Sequence, residues 1–522
     1  MDRVNSLNHK HDFLNLKHLV QRVRLFYASK VLLWLIICFG MGIRLAGYLT
    51  GRSLWLDEAR LALNIVNRSF LQLLQPLDYK QGAPVGFLLI EKVMVLTFGN
   101  NEYSLRLIPF LAGIVSLLIF YNIATHYLKT RTMPIALGLF AISMPLIYYS
   151  SEVKQYSSDV AIGLLLYWTT IFIQNRFSPS RMVLFGIIGA IAVWFSHPAI
   201  FILGGVAISL TSFCLVKRKW RKCAWLAGVY SLWALSFVAL YFVSLRDLSA
   251  NEDLLDYWSG SFMPFPPLSF SNARWFINTF LGIFGDPVGL KLTGIAVFTF
   301  LMGSLSMFYK KRKEFFILII PILLALLASG FHLYPFKGRL LLFIVPAILI
   351  LIVAGIEQIR SSTKAYSMTI VIILVSLVFL HPLISISQYL VGDSRLKQEI
   401  KPVISYVNTH QQDEDILYLY YGAQDAFRYY QEKYGYHDND YIVGVNSRDN
   451  WNNYTDDLDK LRGHRRVWIL FSHIFKSKDV DEEKFFLYYL DRIGTKLDTF
   501  KAQGASVYLY DLSTEHRLQN LL

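Results

Sequence analysis

"KVLLWLIICFGMGIRLAGYLTGRSLWLDEARLALNIVNRSF" occupies residues 30–70. Its first half, 31–50, is an apolar run of the length that crosses a bilayer, roughly 17–25 residues. Its second half opens with two adjacent carboxylates, Asp57 and Glu58, and continues with apolar residues at helical spacing. Charge beside a bilayer is costly unless it faces water or a partner. The stretch therefore reads as a membrane helix followed by a second helix that carries an acid pair to the membrane surface.

The whole chain has the same character. It has 522 residues, of which only 17% are charged, against about 25% in soluble globular chains. The apolar residues are clustered, which indicates a polytopic membrane protein with soluble parts. The net charge of +14 follows from Lys and Arg retained in cytoplasmic loops. The basic clusters lie between apolar spans, so no nucleic-acid partner is expected. Cys38, Cys214 and Cys223 lie in or beside apolar runs and match no zinc or disulfide pattern. The polar segment 1–30 reads as a cytoplasmic N-terminal segment and the first span as an uncleaved anchor.

Further apolar runs fall near 103–127, 132–149, 157–174, 181–196, 198–216, 223–245, 288–309, 314–331, 338–357 and 365–389. The expected fold is thus a polytopic α-helical membrane protein of about eleven transmembrane helices. Alternate short connections hold Lys129 and Arg131, Arg176 and Arg181, "KRKWRK" at 217–222, "KKRK" at 310–313, and Arg360 and Lys364. The other short connections are nearly free of Lys and Arg, which places the basic set in the cytoplasm. An odd number of spans sets the C-terminus on the outer face.

Two longer outer segments interrupt this pattern. Residues 51–102 read as a first outer loop with amphipathic helices at the interface, the second interrupted by Glu91 and Lys92. Residues 246–287 form an outer loop rich in Trp, Phe and Pro. The membrane domain is expected over 31–390. Over 391–522, β-like runs "DILYLYY", "YIVGV", "RVWILFS" and "SVYLYDL" alternate with helical patterns. That alternation suggests a small extracytoplasmic α/β domain with a largely parallel sheet, without a Gly-rich phosphate loop.

Asp57 and Glu58 admit two readings. They are a solvated pair at a helix start, where acids suit the helix dipole, or they do chemistry. A carboxylate on the outer face can take a proton from an arriving hydroxyl. Adjacent helical residues point about 100° apart, so one acid would be catalytic and the other would orient it or bind a metal. Glu152, Lys154, Tyr156 and Asp159 crowd one short outer connection; helix capping and substrate binding account for them equally. Glu102 and Arg106, four apart on a helix, read as a structural pair. His197 and His332 sit at outer membrane ends and read as locally hydrogen-bonded. Glu91, inside an apolar helix, is a candidate to face the active cavity.

A first span, an outer loop opening on Asp-Glu and then interfacial helices resemble the GT-C glycosyltransferases. Their members include protein O-mannosyltransferases and the lipid A aminoarabinose transferase, and the bacterial family 39 enzymes are similar. "QGAPVGFLLIEKVMVLTFGNNEYSLRLIPFLAGI" resembles the family's proline-led interfacial helix and its entry to the second span, with Ala83-Pro84 in place of the usual paired proline. "YYSSEVKQYSSDV" resembles the second outer motif, and "YPFKGRLLLFIVPAILIL" the late span whose basic residues face a donor phosphate. The resemblance covers roughly residues 30–390.

It implies Asp57 as the catalytic acid with Glu58 beside it, and Lys337 and Arg339 as the donor-phosphate cations. Glu152, Lys154, Tyr156, Asp159, Glu91 and His197 would contribute to substrate binding. The reaction implied is an inverting transfer of a sugar from a polyprenyl-phosphate donor to a glycan, lipid or protein acceptor. It would occur on the outer face of a bacterial cytoplasmic membrane, amid membrane lipid. A divalent metal ion at Asp57 and Glu58 is left open. The rival reading is a transporter or flippase of lipid-linked sugars. Against it, no charged residues pair through mid-span positions and no symmetric halves are visible.

Overall fold

The computed structural model describes residues 30–362, 367–391, 396–477 and 480–513. The expected cytoplasmic segment at 1–30 falls outside them but for Lys30, as does Lys364. Each expected apolar run falls on a helix. Among the described residues, eight helices are long and apolar enough to cross a membrane, or up to nine if the bent pair Met133–Ile142 and Met144–Ser151 counts as one span. The expected eleven is therefore not reached on length and composition. Pro179–Phe195 is short, and Thr293–Lys310 is diluted by small and polar residues.

The helices pack through small residues, as membrane helices do where lipid offers no hydrophobic drive for association. A Cβ on Gly303 would lie 1.8 Å from the Leu351 carbonyl oxygen, and one on Gly355 1.8 Å from that of Thr299. Thr293–Lys310 and Val345–Ser362 thus cross with their backbones touching. The bent pair turns by 53° where Pro145, without an N–H, begins a new helix. The carbonyls left free at the end of Met133–Ile142 need donors. Arg44 of the first span supplies them, with Nη1 3.0 Å from Ala141 O and Nη2 3.4 Å from Phe140 O. A charge in the first span is tolerated because it caps another helix.

The C-terminal part is a five-stranded sheet of β1 (Ile416–Leu419), β2 (Ile442–Val443), β3 (Val467–Ser472), β4 (Thr495–Ala502) and β5 (Ala505–Asp511), in the order β2-β1-β3-β5-β4. Only β2, β1 and β3 are parallel; β5 and β4 are antiparallel. The expectation of a largely parallel sheet is corrected to a mixed one. Strand β4 was not expected, because "TKLDTFKA" is an exposed edge with little apolar signal.

One face of this sheet is packed against the loop helices of the membrane part. Leu417, Leu419, Trp468 and Leu470 share a core with Ile400 and Val403 of Ile400–His410, and with Leu61, Ile65, Phe87 and Leu88. The loop helices Leu56–Asn67 and Val85–Phe98 are thus a buried layer between the spans and the sheet. The opposite face, with Tyr418, Ile469 and Phe471, is covered by Asn452–Asp459 and Glu482–Ile493. Polar bonds fix the docking. Glu399 accepts from Ser53 N at 3.2 Å and Ser53 Oγ at 3.0 Å. Tyr430 OH donates to Glu102 at 3.0 Å and accepts from Leu54 N at 2.8 Å.

Candidate active site

Asp57 and Glu58 lie in the first turn of Leu56–Asn67, and the helix turns them in different directions. Glu58 is 0% exposed and surrounded by donors. It pairs with Arg106 Nη2 at 2.8 Å and Arg52 Nη1 at 3.1 Å, and accepts from Val153 N at 2.8 Å. It also reaches back to Trp55 N at 3.4 Å, which caps the helix. Burial raises the cost of its charge, but Arg106 and Arg52 outweigh this and hold its carboxyl below the usual range.

Asp57 faces the other way, with 19% of its side chain exposed. Its Oδ2 lies 2.8 Å from Arg339 Nη2 and its Oδ1 3.8 Å from Lys154 Nζ. Lys154 is buried and donates to Gln81 Oε1 at 2.6 Å. Burial works against ionisation of Asp57; Lys154, Arg339 and a bond from Gln81 overcome it, so its carboxyl is held below the ordinary value. Arg339 stands over the Tyr156 ring at 5.5 Å and the Trp258 ring at 5.9 Å. It follows Gly338, whose φ of +52° carries the chain into the span that contains Val345–Ser362. A Cβ on Gly338 would meet Asp286 Oδ2 at 3.1 Å. Lys337, on the other side of Gly338, is exposed.

Glu152 is fully buried; it accepts from Trp55 Nε1 and, at 3.1 Å, from Tyr148 OH. Burial and the Glu58 charge push its carboxyl up, against the pull of Lys397 and Arg52. Lys397 comes from the segment that leads into the C-terminal part. Its ammonium lies 4.1 Å from the Trp55 ring centre and 4.4 Å from that of Tyr148. The site is therefore a carboxylate among cations, walled by aromatic rings and approached by the C-terminal part.

No family model matches the chain, and no curated protein matches it. Solved structures do. ArnT from Cupriavidus metallidurans, bound to undecaprenyl phosphate, superposes with a TM-score of 0.52 at 13% identity, over 91% of this chain and 97% of that one. The Archaeoglobus fulgidus oligosaccharyltransferase, tethered to an acceptor peptide, gives a TM-score of 0.52 at 11% identity, over 94% of this chain and 75% of that one. The chain has the GT-C fold.

Within this GT-C fold, the structure brings together Asp57, Lys154, Tyr156 and Arg339, with Glu152 linked to them through Trp55. It separates the remaining expected residues. Glu91 is fully buried with neither carboxyl oxygen bonded, and burial pushes its carboxyl up. Asp159 is buried one helical turn beyond Tyr156, with Oδ1 unbonded. His197 does not show the expected local hydrogen bond at Nε2, and burial lowers its imidazole to about 4. Glu102 and Arg106 do not pair with each other. Arg106 serves Glu58, and Glu102 pairs with Lys401 at 2.5 Å, because interhelical partners lie closer than the i+4 neighbour.

The residues do not fit a divalent cation. The Glu58 oxygens are taken by two arginines and a backbone N–H, and those of Asp57 face Arg339 and Lys154. Among the described residues no three His, Cys, Asp or Glu side chains converge. Sequence reasoning missed Arg52, Gln81, Lys397 and also Gln398, whose Oε1 accepts from Leu56 N at 3.4 Å. Arg52 and Gln81 lay in quoted segments but carry no pattern of their own. Gln398 and Lys397 come from a distant part of the chain and gave no signal.

Proposed function

We propose that this chain is a membrane glycosyltransferase that moves a sugar from a polyprenyl-phosphate donor to an acceptor hydroxyl. The reaction takes place on the outer face, where the C-terminal part lies. One observation carries the reading: Asp57, the less buried acid of the pair, is held 2.8 Å from Arg339 at the end of a span. A proton acceptor and a phosphate-binding cation are thereby adjacent, where a lipid-linked donor and an aqueous acceptor would meet.

In this reading the acceptor oxygen attacks the anomeric carbon while Asp57 takes the hydroxyl proton. The bond from the anomeric carbon to the phosphate oxygen breaks, and its electron pair stays on the lipid phosphate. Arg339 and Lys337 meet that charge, Arg339 through a fork that matches phosphate. A single displacement inverts the anomeric centre. A carboxylate held at a lowered pKa is a weak base, so its activation needs an account. Donor phosphate at Arg339 would draw the guanidinium away from Asp57, and the proton affinity of Asp57 would rise as the substrate arrives. Glu58 fixes the helix start without touching substrate, and Lys154 and Tyr156 position Asp57 and Arg339. Glu152 holds Trp55 at the wall of the site, whereas Asp159, Glu91 and His197 lie away from the transfer.

The experiment is sugar transfer by the purified chain in detergent, from radiolabelled polyprenyl-phosphate sugars to membrane extracts. Transfer without a membrane barrier supports a transferase. Movement of donor across proteoliposomes with no transfer in detergent favours the flippase.

A further inference from the structure

Residues 397–401 lead into the C-terminal part and run beside residues 51–56, which lead into the Asp57 helix. Lys397 stands over the Trp55 ring, and Glu399 accepts from Ser53 N and Oγ. Lys401 donates from its N to Ser53 Oγ at 3.2 Å and from Nζ to Gly51 O at 2.5 Å. One residue of this run reaches the helix itself. Gln398 Oε1 accepts from Leu56 N at 3.4 Å, and its Nε2 lies 2.6 Å from His473 Nδ1.

Leu56 is the first residue of the helix and directly precedes Asp57. The N–H groups of a first turn have no partner within their own helix. Here Trp55 N is met by Glu58, from the same turn, and Leu56 N by Gln398, from the C-terminal part. One turn further on, Arg60 pairs with Asp425 at 2.6 Å. Asp57 is thus flanked on both sides by residues held from beyond the spans.

The donors fix the direction of the bridge. A backbone N–H can only donate, so Gln398 turns its oxygen to Leu56 and its amide nitrogen to His473. That nitrogen can only donate as well, so His473 Nδ1 accepts and the ring is neutral, with its proton on Nε2. The surroundings favour that state: burial, with the Arg60 and Arg448 charges, lowers the pKa of the imidazole. His473 directly follows β3 with a φ of +50°, a conformation uncommon outside glycine. It is packed in place, for a Cβ on Gly422, after β1, would lie 2.8 Å from the His473 carbonyl oxygen. Backbone held in so sparse a region persists where its surroundings fix it, and gathers at functional sites.

We propose that Gln398 and His473 are positioning residues for Asp57: His473 aims the Gln398 amide, and that amide sets the start of the helix that carries the base. The proposal rests on the transfer reaction above and gives the C-terminal part a task in it.

The test follows transfer by the full chain from radiolabelled undecaprenyl-phosphate sugars. Gln398→Leu removes both ends of the bridge. Replacements at His473 must tolerate a positive φ. Glycine does so without an acceptor, and asparagine does so while keeping one. Gln398→Leu and His473→Gly should each lower kcat by about tenfold to 10²-fold, because a small misplacement at the reacting centre is costly. The KM for the donor should not change. His473→Asn should keep most of the activity. The double variant Gln398→Leu/His473→Gly should lose no more than Gln398→Leu alone, since the two residues act in series. An unchanged kcat in Gln398→Leu, a rise in KM in place of the fall in kcat, or equal losses in His473→Asn and His473→Gly overturns the proposal. Hydrogen exchange over residues 53–59 is read on the same samples and needs no turnover. It should quicken in Gln398→Leu and His473→Gly but not in His473→Asn. An unmodified chain that transfers no sugar overturns the transfer reading, and the exchange then decides the bridge: unaltered rates at 53–59 in Gln398→Leu overturn it.

Discussion

Asp57 and Glu58 are adjacent on one helical turn, yet their carboxylates have opposite environments. Glu58 is enclosed by Arg52, Arg106 and the Val153 N–H, whereas Asp57 keeps 19% of its side chain exposed and faces Arg339 and Lys154. The helical rotation of about 100° between neighbours is enough to separate them. One acid builds the site and the other is left free to act in it.

Glu58→Gln should therefore unfold the protein more readily. Removing one partner of a buried ion cluster leaves the arginines uncompensated, a cost of about 3–5 kcal/mol. A melting curve in detergent should show a clear loss of stability for Glu58→Gln and a much smaller one for Asp57→Asn. Equal losses would mean that the two acids share one structural role.

Asp57→Asn keeps the shape and removes the proton acceptor. Transfer should fall by about 10²–10⁴-fold, the usual contribution of a general base. Undecaprenyl phosphate binding should survive. A fully active Asp57→Asn enzyme would refute the assignment.

Lys337→Ala and Arg339→Ala should each lower turnover, on the order of 10²-fold, through loss of a fixed cation at a developing charge. Arg339→Ala should also raise the pKa of Asp57, because a cation 2.8 Å away is removed. Lys337→Ala should not, since Lys337 makes no contact with Asp57 among those described. Unchanged kinetics in both would reduce the pair to residues that reach the headgroups.

The lowered pKa of Asp57 sets the pH behaviour. Lys154 and Arg339, against the effect of burial, hold its folded value below the unfolded one. The stability these pairs contribute is present above the unfolded value and is lost as pH falls through the lowered folded value. Without a donor, the Asp57 carboxyl stays ionised into the acid range. With donor phosphate on Arg339 its pKa should rise, so the acid limb of kcat should lie at higher pH than that of kcat/KM. Coincident limbs would show that the donor does not disturb the Asp57–Arg339 pair.

Glu399 is one of the polar links that dock the C-terminal part, accepting from both Ser53 N and Ser53 Oγ. Glu399→Ala leaves the Ser53 donors buried and unbonded, at a cost of about 1–3 kcal/mol. Hydrogen exchange should quicken over residues 53–59 while the sheet of the C-terminal part stays protected. Unaltered exchange at 53–59 would show that the apolar contacts alone hold the two parts together.

The amino-acid sequence by itself determined the local elements. Apolar runs placed the helices of the membrane part, and short β-like runs placed β1, β2, β3 and β5, because composition and length are properties of short segments. It also drew attention to the pair Asp57-Glu58, two charges set against an apolar run, without deciding between them. Only the tertiary structure decided which charges meet. Arg106 bonds Glu58 across 48 residues, and Glu399 bonds Ser53 across 346. Lys397 and Gln398 join the site from beyond the last span. Such pairings depend on where helices cross and how the sheet docks, and no local pattern encodes either. The exposed edge β4 escaped for the converse reason: half-solvated strands carry little apolar signal, and β5 alone specifies its place.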